Sequence, residues 1–120
     1  MVIRFLCYNG FVENNGVPLV EALPELANEL ERLLRLEGEA ELAAQVQGLR
    51  IVDRCQCGDD FCATFYVQPK PMGSYGPTHR TVALGPEQGM LILDVDNAKI
   101  ACIEVLYRDD IRHRLDTLLP

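Results

Sequence analysis

Hydrophobic residues in the first half of the chain recur with a helical period. One alanine and five leucines fall three or four positions apart and so lie on one stripe of a helix: Leu23, Leu26, Ala27, Leu30, Leu33 and Leu34. Pro24 fits the first turn, where its missing N–H costs nothing, and Gly38 is placed to end the helix. A second, shorter helix is predicted over residues 39–47.

On both sides of these helices the apolar residues come in short runs rich in Val, Ile, Phe and Tyr. Gly, Pro, Asp or Asn separate the runs, as expected of strands joined by turns. The predicted strands cover residues 3–8, 49–55, 62–68, 80–84, 90–95 and 99–107. Asp96 and Asn97 are predicted to form the tip of a tight hairpin between the last two strands. A short helix is predicted over residues 109–115.

Short connections imply antiparallel neighbours, so this order of elements predicts one α+β domain over residues 1–120. The predicted architecture is an antiparallel β-meander of five to six strands with an N-terminal helical pair packed on one face. One connection is unusually long, a loop rich in Pro and Gly over residues 68–79.

The composition fits a globular domain that folds without help from a metal or a disulfide. The chain has 120 residues, of which 48% are hydrophobic and 24% charged, enough to close a single core. No apolar run approaches the roughly 20 residues of a membrane span, and the N-terminus lacks the features of a signal peptide, so we expect a cytoplasmic protein. The formal charge of −7 argues against nucleic acid or an anionic membrane as a partner.

The negative charge is concentrated in the helical half. Residues 1–48 carry eight acidic and three basic side chains, whereas residues 49–120 carry ten and eight. An acidic helical surface on a small stable domain complements a basic protein partner and speeds their encounter. Bacterial immunity proteins, which neutralise a toxin, are similar in size, in acidity and in having no catalytic motif.

The leading hypothesis from the sequence is therefore a small acidic protein-binding module, for example an immunity protein that binds a basic toxin. The predicted contact residues are the glutamates of the helical half, Glu21, Glu25, Glu29, Glu37, Glu39 and Glu41. The simpler interpretation is that they form only the solvated face of an amphipathic helix.

Three of the five cysteines lie close together, in the segment Cys55-Gln56-Cys57-Gly58-Asp59-Asp60-Phe61-Cys62. If residues 58–61 are the loop of a hairpin, Cys57 faces Cys62 across the two strands. Cys55, two residues before Cys57, then points to that same face. The spacing C-x-C-x4-C therefore predicts three sulfur atoms within several ångströms of one another.

Three interpretations of this cluster are open. Zinc requires four ligands, and His79, at the end of the Pro/Gly loop, is the best candidate to join Cys55, Cys57 and Cys62. A disulfide from Cys62 to Cys57 or Cys55 fits the geometry, but a reducing cytoplasm opposes it. The third interpretation is that small residues are needed where the hairpin packs. Cys7 and Cys102, which stand alone in apolar strand patterns, are likewise most simply explained as buried small hydrophobic residues. No cofactor other than zinc is indicated.

The sequence favours binding over catalysis. It contains no Gly-rich phosphate loop, H-E-x-x-H, G-x-S-x-G or calcium-loop motif. A nucleophilic thiol needs a base such as His79 or His113 and a third group that orients the base, and nothing in the sequence sets those distances. An enzyme that uses Tyr75, His79 and Arg80 beside the Pro/Gly loop is supported only by position and residue type. We therefore predict that the protein is not an enzyme.

The cysteine segment continues as C-x-C-G-D-x-x-C-x-x-F-Y over residues 55–66 and is followed by Tyr75-Gly76-Pro77-Thr78-His79-Arg80. This pattern resembles a group of small uncharacterised bacterial proteins. Residues 89–94 and 100–106 are similar to the closing hairpin of a bacterial domain family of unknown function. The resemblance implies a bacterial origin and a meander that ends in this hairpin, and it implies no activity.

Overall fold

Four helices and two antiparallel sheets form the structure, a computed structural model that describes residues 16–119. The strands are β1 (Val17–Pro18), β2 (Arg50–Ile51), β3 (Asp53–Arg54), β4 (Phe65–Tyr66), β5 (His79–Leu84), β6 (Met90–Asp96) and β7 (Lys99–Leu106). β1 pairs with β2, and the other five strands form the main sheet in the order β3-β4-β7-β6-β5. The predicted α+β class and meander-like sheet are confirmed. The predicted strand over residues 3–8 lies outside the described residues.

The helices are α1 (Leu19–Ala22), α2 (Pro24–Leu36), α3 (Ala40–Gln45) and α4 (Asp109–Leu118). Pro24 occupies the first turn of α2, as predicted. At the other end Gly38 has a positive φ of 77°, and the N–H of Glu39 donates to the carbonyl of Leu34 at 2.9 Å. This is a Schellman motif, which favours glycine because it requires a left-handed residue. Among the described residues, no helix combines the length and the apolar character needed to cross a membrane.

The helices pack on one face of the main sheet. Leu93 of β6 and Ile103 of β7 pair with each other and are buried in the same core as the leucines of α2 and the apolar side of α4. Because side chains alternate along a strand, the residues next to them point to the opposite face. That second face carries Asp94, Cys102 and Glu104, and it is the face that positions the site described below.

Regular pairing covers only parts of the strands predicted over residues 49–55 and 62–68. In the second, the paired residues are those of β4. The run over residues 49–55 changes partner at Val52, whose N–H donates to the carbonyl of Tyr66 at 2.9 Å, so its first part pairs with β1 and its second part joins the main sheet. The tight hairpin between β6 and β7 is present, but the predicted tip is wrong by one residue: Asp96 still pairs with Lys99, so Asn97 and Ala98, and not Asp96 and Asn97, form the turn. Its turn is centred on Asn97 and Ala98, with φ of 53° and 65°, which matches the twist of the flanking strands.

Candidate functional site

The sulfur atoms of Cys55, Cys57 and Cys62 lie within 4.8 Å of one another. β3 and β4 pair antiparallel, and the N–H of Cys55 donates to the carbonyl of Thr64 at 2.9 Å. The same register, continued to the tip of the hairpin, places Cys57 opposite Cys62. All three are free thiols; Cys57 is exposed, whereas Cys55 and Cys62 are half-buried. The predicted approach of three sulfurs on one hairpin is therefore present.

The backbone of the hairpin donates hydrogen bonds to two of these sulfurs. Cys57 accepts one from the N–H of Asp59, and Cys62 accepts one from the N–H of Thr64, in each case two residues further along the chain. The Thr64 hydroxyl also donates to Cys62, while its Oγ1 accepts the N–H of Val105 at 3.2 Å. Donors that point at sulfur favour the thiolate over the thiol.

The pKa values of Cys57 and Cys62 are shifted in opposite directions. Burial acts to raise the pKa of Cys62, but the hydrogen bonds from Thr64 and from the other two thiols outweigh it, and the pKa of Cys62 is lowered. The Asp59 N–H favours the thiolate of Cys57, but hydrogen bonds to Cys55 and Cys62 favour its protonated form and raise its pKa to about 11. Cys62 therefore forms a thiolate more readily than Cys57, and both neighbouring thiols donate to it.

His79 does not join the sulfurs. The group of metal-ligating side chains that meet within residues 16–119 consists of the three cysteines. His79 begins β5, at the opposite edge of the main sheet from β3. Its Nε2 lies 2.8 Å from Oδ1 of Asp94, and its ring stacks on Tyr75 with centroids 4.5 Å apart. The structure thus brings together three of the four predicted ligands, and the order of the strands separates the fourth.

The six predicted partner-binding glutamates divide into two groups. Four are exposed, Glu21, Glu25, Glu37 and Glu41. Glu29 and Glu39 are half-buried and form ion pairs within the chain. Glu29 accepts hydrogen bonds from Arg108 at 3.0 and 3.1 Å, and Glu39 accepts two from Arg80, both at 3.0 Å. The Arg80 guanidinium lowers the pKa of Glu39.

A cavity of about 470 Å³ adjoins the thiols on the sheet face that the helices leave uncovered. The Pro/Gly loop forms one wall, with Lys70 and Tyr75, and the sheet forms another. Cys55 and Cys62 line this cavity and also a second one, of about 440 Å³, around the tip of the hairpin. The thiol cluster is therefore accessible from two sides.

Two carboxyl groups of this cavity are joined by a hydrogen bond. Asp94 and Glu104 lie on the neighbouring strands β6 and β7 and are joined by a side-chain hydrogen bond. This bond, together with burial and the charge of Asp94, raises the pKa of Glu104 to about 7, although His79 acts in the opposite direction. Asp94 is 7% exposed.

Sequence reasoning missed this pair. The sequence does contain one indication of the pair: Asp94 interrupts the apolar run of residues 91–95, where an unpaired carboxylate is costly to bury. Sequence reasoning did identify Tyr75 and His79 beside the loop, and both lie near Asp94: His79 contacts it, and Tyr75 lines the same cavity. Burial raises the pKa of Tyr75 to about 12, so its phenol stays protonated at neutral pH.

Comparison with known proteins returns no match: no family model, no curated protein and no solved structure is significantly similar to the chain.

Proposed function

We propose that the protein binds a thiophilic metal ion, zinc in the first instance, through Cys55, Cys57 and Cys62. The observation that supports this proposal is the meeting of three free thiol sulfurs within 4.8 Å on one hairpin. Thiolate ligands select zinc, copper(I) and iron–sulfur clusters over hard cations. A hairpin that only needed small residues for packing has no requirement for three sulfurs in mutual contact.

The hydrogen bonds around the sulfurs support the same proposal. Metals bind thiolates and not thiols, so donors aimed at sulfur prepare the ligands and orient them. The N–H groups of Asp59 and Thr64 have this role toward Cys57 and Cys62. Bound metal would also remove the protons that the three thiols otherwise share, and the raised pKa of Cys57 makes this release dependent on pH.

Three protein ligands leave one zinc position for an exchangeable group. Structural zinc sites use four protein ligands, whereas sites that react or exchange keep an open position. No fourth ligand joins the three sulfurs within the described part of the chain. Two cavities reach Cys55 and Cys62, so the open position would be accessible to water or to a small ligand.

Metal analysis of the reduced protein tests the proposal. We expect one zinc ion per chain, displaced by a chelator and rebound on titration, and we expect Cys57→Ser and Cys62→Ser to lose most of the affinity. Cys102→Ala is the matched control, because it removes a buried thiol outside the cluster. Cobalt substitution should give sulfur-to-metal charge-transfer bands. A folded, fully reduced protein that binds neither zinc nor cobalt contradicts the proposal.

The acidic protein-binding module is the second candidate function. The observation that favours it is that Glu21, Glu25, Glu37 and Glu41 are exposed and form no ion pair within residues 16–119. A basic protein, such as a toxin bound by an immunity protein, would complement these free carboxylates and bind faster at low salt.

Charge reversal separates this function from metal binding. Glu21→Lys with Glu25→Lys should weaken capture of a basic partner from the native host while leaving zinc binding unchanged. Asp60→Lys makes the same kind of charge change on an exposed residue outside the helices and should have no effect on capture. If the unaltered protein, the double variant and Asp60→Lys capture the partner equally at low salt, the helical glutamates are not the contact surface.

A further inference from the structure

The cavity beside the Pro/Gly loop has a negatively charged, partly aromatic lining. Three carboxyl groups border it, those of Asp59, Asp94 and Glu104, against the single ammonium of Lys70. Aromatic rings form much of the remaining surface, from Phe61, Tyr66 and Tyr75. Its volume of about 470 Å³ falls within the range of small-molecule sites.

This lining suits an organic cation better than other ligands. The carboxyl groups oppose an anion, and Asp94 is held on the sheet with only 7% exposure. A hard metal ion needs about six oxygen ligands, whereas within the described residues only the cysteines gather as a metal-ligating group. Aromatic faces attract an ammonium group, and the apolar side of the cavity is available to the carbon chain of such a ligand.

The contacts of Lys70 show that an ammonium group is accommodated beside the lining of this cavity. Its Nζ lies 5.3 Å from the centre of the Tyr66 ring and 4.0 Å from a carboxylate oxygen of Asp53. The ammonium group of Lys70 therefore already lies over the ring of Tyr66, and both residues line the cavity. The lysine side chain is 42% exposed, so it can leave this position without exposing a buried contact.

We propose that the cavity lined by Tyr66, Tyr75, Asp94 and Glu104 binds a small organic cation, a primary amine on a short apolar chain, as a free molecule. The ammonium would lie against the two carboxyl groups on the sheet, and the carbon chain would run toward Phe61 and Leu106. The amine site uses none of the proposed metal ligands, but Cys55 and Cys62 line the same cavity, so the amine site is tested on metal-free protein.

Three probes of similar size test the proposal on the unaltered protein: n-butylammonium, n-butanol and butyrate. In calorimetry or ligand-observed NMR we expect saturable binding of n-butylammonium, with the other two at least about tenfold weaker because they lack the positive charge. Binding of n-butanol as tight as that of n-butylammonium overturns the proposal, as does the absence of saturable amine binding. These results require no variant and do not depend on folding of a mutant.

Two variants then locate the site. At about pH 8, where Glu104 is ionised, Glu104→Gln should weaken binding of n-butylammonium about tenfold through loss of one carboxylate. Lys70→Met should strengthen this binding, because a competing ammonium is removed. Glu87→Gln removes an exposed carboxylate elsewhere and should leave the affinity unchanged. Unchanged affinity in a folded Glu104→Gln protein, or weaker binding in Lys70→Met, contradicts the assignment. Each measurement is made on chelated, metal-free protein, so that an amine bound to zinc at its open position is not counted.

Discussion

Arg108 and Glu29 form a bidentate ion pair. It joins the segment that follows β7 to α2. Nη2 of Arg108 lies 3.0 Å from Oε1 of Glu29, and Nη1 lies 3.1 Å from Oε2. The two side chains are only 10% and 18% exposed. Such paired, partly buried hydrogen bonds hold both groups in one geometry. Glu29 therefore supports the fold, and it is a weaker candidate for a partner contact than the exposed glutamates.

Glu29→Gln should lower the free energy of unfolding by about 2 kcal/mol, because the mostly buried guanidinium of Arg108 loses its bidentate carboxylate and keeps a longer contact with the carboxylate of the exposed Asp110, at 3.5 Å. Urea denaturation followed by circular dichroism measures the change. Glu39→Gln is the matched control. It breaks a pair of the same geometry with Arg80, but Arg80 is 52% exposed, so water replaces the lost contact and the loss should be clearly smaller. A larger loss at Glu39 would contradict this ranking.

Cys62 should react with iodoacetamide before Cys57, although Cys57 is the more exposed of the two. The thiolate is the reactive form, and the pKa of Cys62 is lowered whereas that of Cys57 is raised to about 11. Metal-free protein is alkylated near neutral pH for increasing times. Fragment-ion mass spectrometry then assigns the label, because both cysteines fall in one tryptic peptide. Faster labelling of Cys57 would show that exposure, and not the hydrogen bonds to sulfur, sets the order.

Thr64→Val should slow the alkylation of Cys62 and raise its pKa, as measured from the pH dependence of the alkylation rate. The substitution removes the hydroxyl that donates to the Cys62 sulfur and keeps a side chain of similar shape. It also removes the acceptor of the Val105 N–H, so we expect a loss of about 1 kcal/mol in the free energy of unfolding. Thr117→Val, on the exposed side of α4, should change neither quantity. An unchanged pH profile for Cys62 would contradict the role of Thr64.

The features that the sequence predicted depend on local pattern. The leucine spacing, with Pro24 and Gly38 at its ends, is sufficient to place α2. Similarly, the C-x-C-x4-C spacing is sufficient to bring the sulfurs of Cys57 and Cys62 together once the hairpin forms. In each case the contacts join residues that are close in the chain, so period and turn chemistry determine them.

The features that were missed depend on the order of strands in the sheet. β7 lies between β4 and β6, which brings Tyr66 and Asp94 to opposite sides of the Cys102 position. The same order places β5 at the far edge and keeps His79 away from the sulfurs. Spacing along the chain carries no information on which distant strand enters between two others. The hydrogen bond between Asp94 and Glu104 could therefore not be predicted from the sequence pattern alone.

The carboxyl pair makes the stability of the fold depend on pH in a direction that can be measured. The pKa of Glu104 is about 7 in the folded protein and 4.5 ordinarily, so between these values the folded chain holds a proton that the unfolded chain has lost. The contribution of Glu104 to stability is therefore complete below pH 4.5 and is lost as the pH rises through about 7.

Glu104→Gln should remove this dependence, because a glutamine donates to Asp94 at every pH and has no proton to lose. We expect the urea midpoint of the unaltered protein, relative to that of Glu104→Gln, to fall as the pH rises from about 4.5 to about 7 and to level off above that. Taking the difference between the two proteins cancels groups that titrate in both, such as Glu39, whose lowered pKa gives the opposite slope at lower pH. Parallel midpoint curves would show that Glu104 ionises normally in the folded protein and would contradict its raised pKa.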